Sequence, residues 1–262
     1  ARLVKPCPRK NPMLTKLPSR SLAGLAALLL LCLAQAAVAA LMMFTWPLVI
    51  GVTAQSESEI AQTAFLVLMP LVLVLLLIEF STGGIDARQI ALLGVLTALN
   101  AVIRMLGAGT AGVETAFFLI IIAAYVFGPS FGFLFGALSL LVSGLLTGGI
   151  GPWLPFQMMA AALVGLAAGA LPKVSRTWLQ FLMLCGYAFV ASFFYGGLMT
   201  LWNWPFLAGT GTSISYVAGA SLIENLTRFV QYELFTGGLI WDFGRAITTS
   251  VLILLTAPAL LA

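Results

Sequence analysis

The chain has 262 residues, of which 61% are hydrophobic and only 8% charged. So few charges cannot cover a soluble domain of this length, and several apolar runs reach the roughly 18 or more residues that carry a helix across a hydrocarbon layer. Ten-residue strand patterns separated by turn signals are absent, which argues against a barrel, and a net charge of +4 is a topology signal rather than a nucleic-acid footprint. The composition therefore points to a polytopic, all-α membrane protein.

In chain order, residues 1–21 form a basic tail. Arg2, Lys5, Arg9, Lys10, Lys16 and Arg20 are half of the twelve basic residues, and the positive-inside rule places them in the cytoplasm. Residues 22–86 read as an N-terminal extension with about two spans, at 22–50 and 62–80. A basic start, a Leu/Ala core and the small residues of "AQAAVAA" also give residues 1–40 the outline of a signal peptide. The apolar run continues to Ile50, longer than the ~7–15 residues of a signal core, so a retained helix is the expectation.

Residues 87–262 carry six further spans, expected at 88–106, 114–127, 130–147, 156–171, 178–201 and 239–260, with "STGG", "GPS" and "LPK" as breakers. Between the last two, Leu222, Ile223, Leu226, Phe229 and Val230 recur at helical spacing. They predict an amphipathic helix at 222–233, lying on the protein or the interface. Eight spans return the C-terminus to the cytoplasm and put nine basic residues inside against three outside: Arg104, Arg228 and Arg245. Glu79 is expected at the inner end of the second span, within reach of water.

On this topology four unusual stretches meet at the outer face: "RMLGAGTAGVE" (104–114), "GGIGPWLPFQ" (148–157), "LWNWPFLAGTGTSISY" (201–216), and the run from "IENLTRFVQYE" to "WDFGRA" (223–246). Irregular backbone at membrane depth is tolerated where protein buries it or where it lines a cavity. Trp153, Trp202 and Trp204 fit aromatic walls for a flat or amphipathic molecule, or interfacial anchors. Gln157 and Asn203 offer donors and acceptors, and Gln157 enters an apolar span, where an amide needs a partner or a ligand. Arg104 and Glu114 read either as an ion pair fixing a Gly-rich turn or as ligand contacts. Asp242 in the first turn of the last span suits the helix dipole and an i,i+3 pair with Arg245. Tyr232 and Glu233 close the amphipathic segment that covers this region.

Several chemistries lack their residues. Histidine is absent, and Cys7, Cys32 and Cys185 are scattered without CxxC spacing, so neither a metal site nor a disulfide framework is expected. No GxxxxGK[ST] or GxSxG occurs, and HExxH is impossible. No cofactor is implied. An intramembrane lipid-modifying enzyme using Glu114, Asp242 or Glu233 stays open as an alternative, as do a stand-alone secondary transporter and a membrane adaptor.

The run "AGVETAFFLIIIAAYVFGPSFGFLFGALSLLVSGLLTGGIGPWLPFQMMAAALVGLAAGALP" (111–172) closely resembles substrate-binding S-components of energy-coupling factor (ECF) vitamin transporters. "ARQIALLGVLTALNAVIR" resembles the first core helix of that fold and "WDFGRAI" the opening of its last, so the likeness covers about 87–258, in the style of actinobacterial members with an N-terminal extension. The resemblance implies a six-helix S-component core preceded by one or two additional helices. It implies capture of a vitamin or related micronutrient from outside, with cobalamin or another corrinoid favoured, and delivery through a membrane coupling protein carried by two ATPases. The substrate would lie against the loops 106–113, 148–156 and 202–238. Small residues on the first core helix, Ala87, Ala91, Gly94 and Ala98, would contact the coupling protein, with Gly94 standing where alanine is usual.

Overall fold

The computed structural model describes residue 38, residues 43–46, residue 48, and residues 57–82, 85–107, 112–207, 211–236 and 238–261. The basic tail, the signal-peptide question and most of the 22–50 span lie outside these. The described elements are helices α1 (Glu57–Thr82), α2 (Ala87–Gly107), α3 (Phe117–Phe127), α4 (Pro129–Thr147), α5 (Trp153–Gly169), α6 (Thr177–Leu207), α7 (Leu222–Phe235) and α8 (Gly238–Leu260), with no strand among them. Helices α2, α4, α6 and α8 are long and apolar enough to cross a bilayer. The end of the bundle that carries the 148–152 turn and α7 is called the upper end.

The burial pattern sorts helices into inner and outer. Along α3 nine consecutive side chains, Phe117 to Tyr125, are buried, and in α5 thirteen are. A helix that is apolar all round and buried on every side belongs at the centre of a bundle. In contrast, α1, α2 and α8 expose Leu66, Leu77, Val95, Leu106, Leu254 and Leu255, the apolar faces that meet lipid. The expected span 114–127 is corrected by this centre. Its helix starts only at Phe117 and is 11 residues long, about 16 Å at 1.5 Å per residue. Enclosed by protein, α3 need not match the hydrocarbon thickness.

The tightest contact is between α4 and α5. A Cβ built on Gly132 would overlap the Gly165 carbonyl, one on Gly136 the Ala161 carbonyl, and one on Gly169 the backbone at Gly128 and Pro129. These residues recur every fourth position on both helices. Small residues at that spacing let two backbones touch, which in lipid replaces the missing hydrophobic drive.

Two connections fix the ends. At the lower end the Tyr125 hydroxyl donates to Pro172 O (3.3 Å) and accepts from Val174 N (3.1 Å), while Lys173 Nζ stands 4.0 Å from the Tyr125 ring centre. At the upper end Gly148 (φ 68°) ends α4 in the left-handed region, and its successor Gly149 N donates to Gly144 O (2.9 Å). Only 148–152 of the expected irregular stretch is a turn, because Trp153 opens α5. Likewise α6 runs on to Leu207, past the expected end at 201 and through Pro205, because Trp202 and Trp204 are buried in its last turns. Glu79 also departs from expectation: it is 6% exposed and its Oε1 has no hydrogen-bond partner among the described residues.

Candidate functional site

Three helix ends converge at the upper end around a cavity of about 360 Å³. From α5 come Trp153 and Gln157, one turn apart. From α6 come Gly196, Met199, Thr200 and Asn203, an i, i+3, i+4, i+7 face, with Trp202 beside it. From α8 come Gly238, Trp241, Asp242 and Arg245, the same spacing again. The site is thus built on the ends of regular helices, which hold side chains more firmly than loops do.

Each wall has a local cause. Pro152 leads into α5, and Trp153 Nε1 donates back to Gly149 O at 3.2 Å, which holds the half-exposed indole over the turn. Trp202 stacks on Phe156 with centroids 4.4 Å apart and planes at 9°. Behind that stack, Phe44 packs edge-on to Phe156 at 5.6 Å and Trp46 lies 5.8 Å from Phe206, so residues 43–46 brace the aromatic wall. No described residue hydrogen-bonds the Gln157 side chain.

Charge is organised in pairs. Arg245 Nη1 donates to Asp242 Oδ1 and to Ser192 O (3.1 Å), and its guanidinium lies 5.0 Å from the Tyr195 ring centre. Asp242 is 2% exposed and packs so closely on Gly196 that any side chain there would displace it. Helix α8 begins at Gly238, so Asp242 lies past its first turn, and its partner is Arg245 rather than the helix N-terminus. Arg104 Nε stands 3.7 Å from Glu114 Oε1, and Arg104 Nη1 donates to Ser143 Oγ at 3.0 Å. Gly112 (φ 79°) brings the segment after the α2 turn directly against Trp241 and Gly244 of α8. One turn below the Arg104–Ser143 bond, Asn100 and Ser139 are buried. Both ends of the Asn100 amide and the Ser139 hydroxyl lack hydrogen-bond partners among the described residues.

Helix α7 packs against α6 and α8 at this end. Ser221 caps it by accepting from Glu224 N (3.2 Å), in the Ser-x-x-Glu arrangement of a capping box. Asn225 pairs through its amide with both N and O of Val217, and Arg228 bonds Glu224, Thr212 O and Ser213 O. The 211–217 loop is thereby tied to the inner face of α7, while Ile223, Val230 and Phe235 stay exposed on the other. Both carboxylate oxygens of Glu233 are buried without a hydrogen-bond partner among the described residues. Burial pushes the Glu233 pKa up; the Thr200 hydroxyl and the Arg245 charge offset part of that rise.

Of the residues expected at a site, the cavity brings together Trp153, Gln157, Trp202, Asn203 and Asp242. Arg104 and Glu114 form the expected ion pair beside it, within electrostatic reach of Tyr195. Trp204 is not a wall. It is 0% exposed, donates to Ile214 O (3.0 Å) and packs against Tyr216 and Phe229, an anchor for the loop. Tyr232 lies on α7 outside the lining. Sequence reasoning missed Met199, Thr200, Trp241 and the lining role of Arg245, although the i, i+3, i+4, i+7 spacing of 196–203 and 238–245 could have found them. Ala87, Ala91, Gly94 and Ala98 are all exposed along α2, and a Cβ on Gly94 would meet nothing within 4 Å.

A helical membrane bundle with a small polar and aromatic cavity at one end defines the class: a membrane-embedded binding protein. The family model for the substrate-specific component of ECF transporters matches residues 88–258, more than half of the chain, and the protein belongs to that family. No curated protein and no solved structure shows significant similarity to it. Membership makes the chain a multi-pass transport subunit of the cell membrane, not an enzyme, with a small-molecule substrate and an energy-coupling module as partner. Two of the three carboxylates offered for an enzymatic alternative, Glu114 and Asp242, are each held by an arginine.

Proposed function

We propose that the protein captures a vitamin or related micronutrient from outside in the upper-end cavity and delivers it through a coupling protein carried by two ATPases. The observation that carries this reading is the convergence of Trp153, Gln157, Asn203 and Asp242 on one cavity of about 360 Å³. That volume stands near the lower bound of the ~300–1,000 Å³ typical of ligand pockets. It favours a small molecule over a corrinoid, whose macrocycle and nucleotide tail need far more room.

The charge pattern supports an outward-facing upper end with both termini cytoplasmic. All three arginines at the upper end are paired with acids, whereas Arg88, Lys173 and Arg176 at the lower end have no ion pair among the described residues. Unneutralised positive charge thus collects at the end assigned to the cytoplasm. The exposed small-residue line of α2 is the surface proposed for the coupling protein, where a second helix can approach closely. Co-expression with a coupling protein and its ATPase pair tests this assignment. A complex containing all four chains should be recovered and should be lost in an Ala91→Leu/Gly94→Leu variant. Recovery of the same complex from that variant would exclude this face.

A further inference from the structure

The charges around the cavity do not balance. Three arginines stand at the upper end, and each is committed: Arg104 to Glu114, Arg228 to Glu224, Arg245 to Asp242. Among the described residues Glu233 has no ion pair within 4.0 Å, and both its oxygens are buried without a hydrogen bond of good geometry. Its carboxylate is not itself part of the lining but lies directly behind it. A Cβ on the lining residue Gly238 would fall against both its oxygens, and the hydroxyl of Thr200, another lining residue, acts on it from the cavity side. Arg245 is near enough to be felt, but two carboxylates share that one guanidinium. A buried, unpaired carboxylate is costly and calls for a counter-charge.

The other walls are aromatic. Trp153 and Trp241 are both about half exposed, so their rings are accessible, and Trp202 adds a third indole to the lining. An indole face attracts a cation, more strongly where water is excluded.

We propose that the cavity takes a small, flat molecule carrying a positive charge, which the Glu233 carboxylate behind Gly238 and Thr200 attracts while the ring lies against the indoles of Trp153 and Trp241. This rests on the capture reading above and narrows its substrate class. Asp242, already neutralised by Arg245, holds the floor of the cavity and leaves Glu233 as the charge-selecting group.

Three probes with one ring and three charges test it: 1-methylnicotinamide (cation), nicotinamide (neutral) and nicotinate (anion). Each is titrated against the detergent-purified full chain at pH 7, with thermal stability as the readout. The cation should bind tighter than the anion by on the order of tenfold, within the range that one cation–π contact and one ion pair supply. Glu233→Gln should abolish that preference, and Glu224→Gln, the same change elsewhere on α7, should keep it. Equal responses to the three probes, or a preference for nicotinate, would overturn the charge inference and leave capture standing, since the ring still binds. No response to any probe would count against the cavity as a capture site, and so against the reading beneath.

Discussion

Arg245 and Asp242 show how one residue pair both builds and loads the site. Asp242 is 2% exposed, so removing its partner leaves a buried carboxylate uncompensated, a loss of about 3–5 kcal/mol. Arg245→Ala should therefore lower the unfolding temperature in detergent sharply, and a wild-type transition would mean that Asp242 has another partner. Gln157, by contrast, lines the cavity and bonds no described side chain. Gln157→Leu should weaken substrate binding and leave expression and stability unchanged; unaltered affinity would remove it from the site.

Glu233 supplies a pH test with a definite sign. Its folded pKa is raised, so between the ordinary carboxylate value and the raised one the folded protein holds a proton that the unfolded chain has lost. Stability of the ligand-free protein should fall as pH rises through that window, and Glu233→Gln should flatten the profile. A stability that rises across the same window would contradict the assignment. The Asp242–Arg245 pair was legible from i,i+3 spacing, and the Arg104–Glu114 pair was one of two readings left open across the Gly-rich turn. That Trp204 anchors a loop whereas Trp202 lines a cavity was not legible, because residues two apart on one helix point to different neighbours.

Among the elements, the α4–α5 contact bears most on the fold. Gly132 and Gly165 meet backbone to backbone, so a side chain at either has nowhere to go. Overpacking ordinarily costs about 1–3 kcal/mol when side chains can yield, and backbone cannot. Gly132→Val should abolish recovery of folded protein, whereas Gly94→Val on the open face of α2 should be tolerated; equal recovery of the two would refute close packing. Residues 43–46 make a second element-scale case. Phe44 and Trp46 reach Trp202 through Phe156 and Phe206, so the N-terminal extension supports the cavity wall. Phe44→Ala should weaken the near-UV circular dichroism of the stacked Trp202; an unchanged spectrum would free the wall from the extension.

Helix positions were readable because apolar length and Gly/Pro breakers set them, and α7 was readable from its apolar spacing. The depth of α3 was not. An 11-residue apolar helix looks like a short span until its neighbours enclose it.

For the whole molecule, the sequence carried the membrane class, the six-helix core and the end of the bundle at which polar residues gather. It did not carry the cavity's size, because volume depends on how three helix ends splay. That size is the ground on which a small ligand is proposed in place of a corrinoid. The central claim is that this chain holds a small micronutrient, one per molecule, at the upper end. Native mass spectrometry of the detergent-purified protein, expressed in rich medium, tests it most directly. A single stoichiometric adduct of small-molecule mass is expected, and it should disappear in Gln157→Leu. An adduct of corrinoid mass, or one fully retained in that variant, would contradict it.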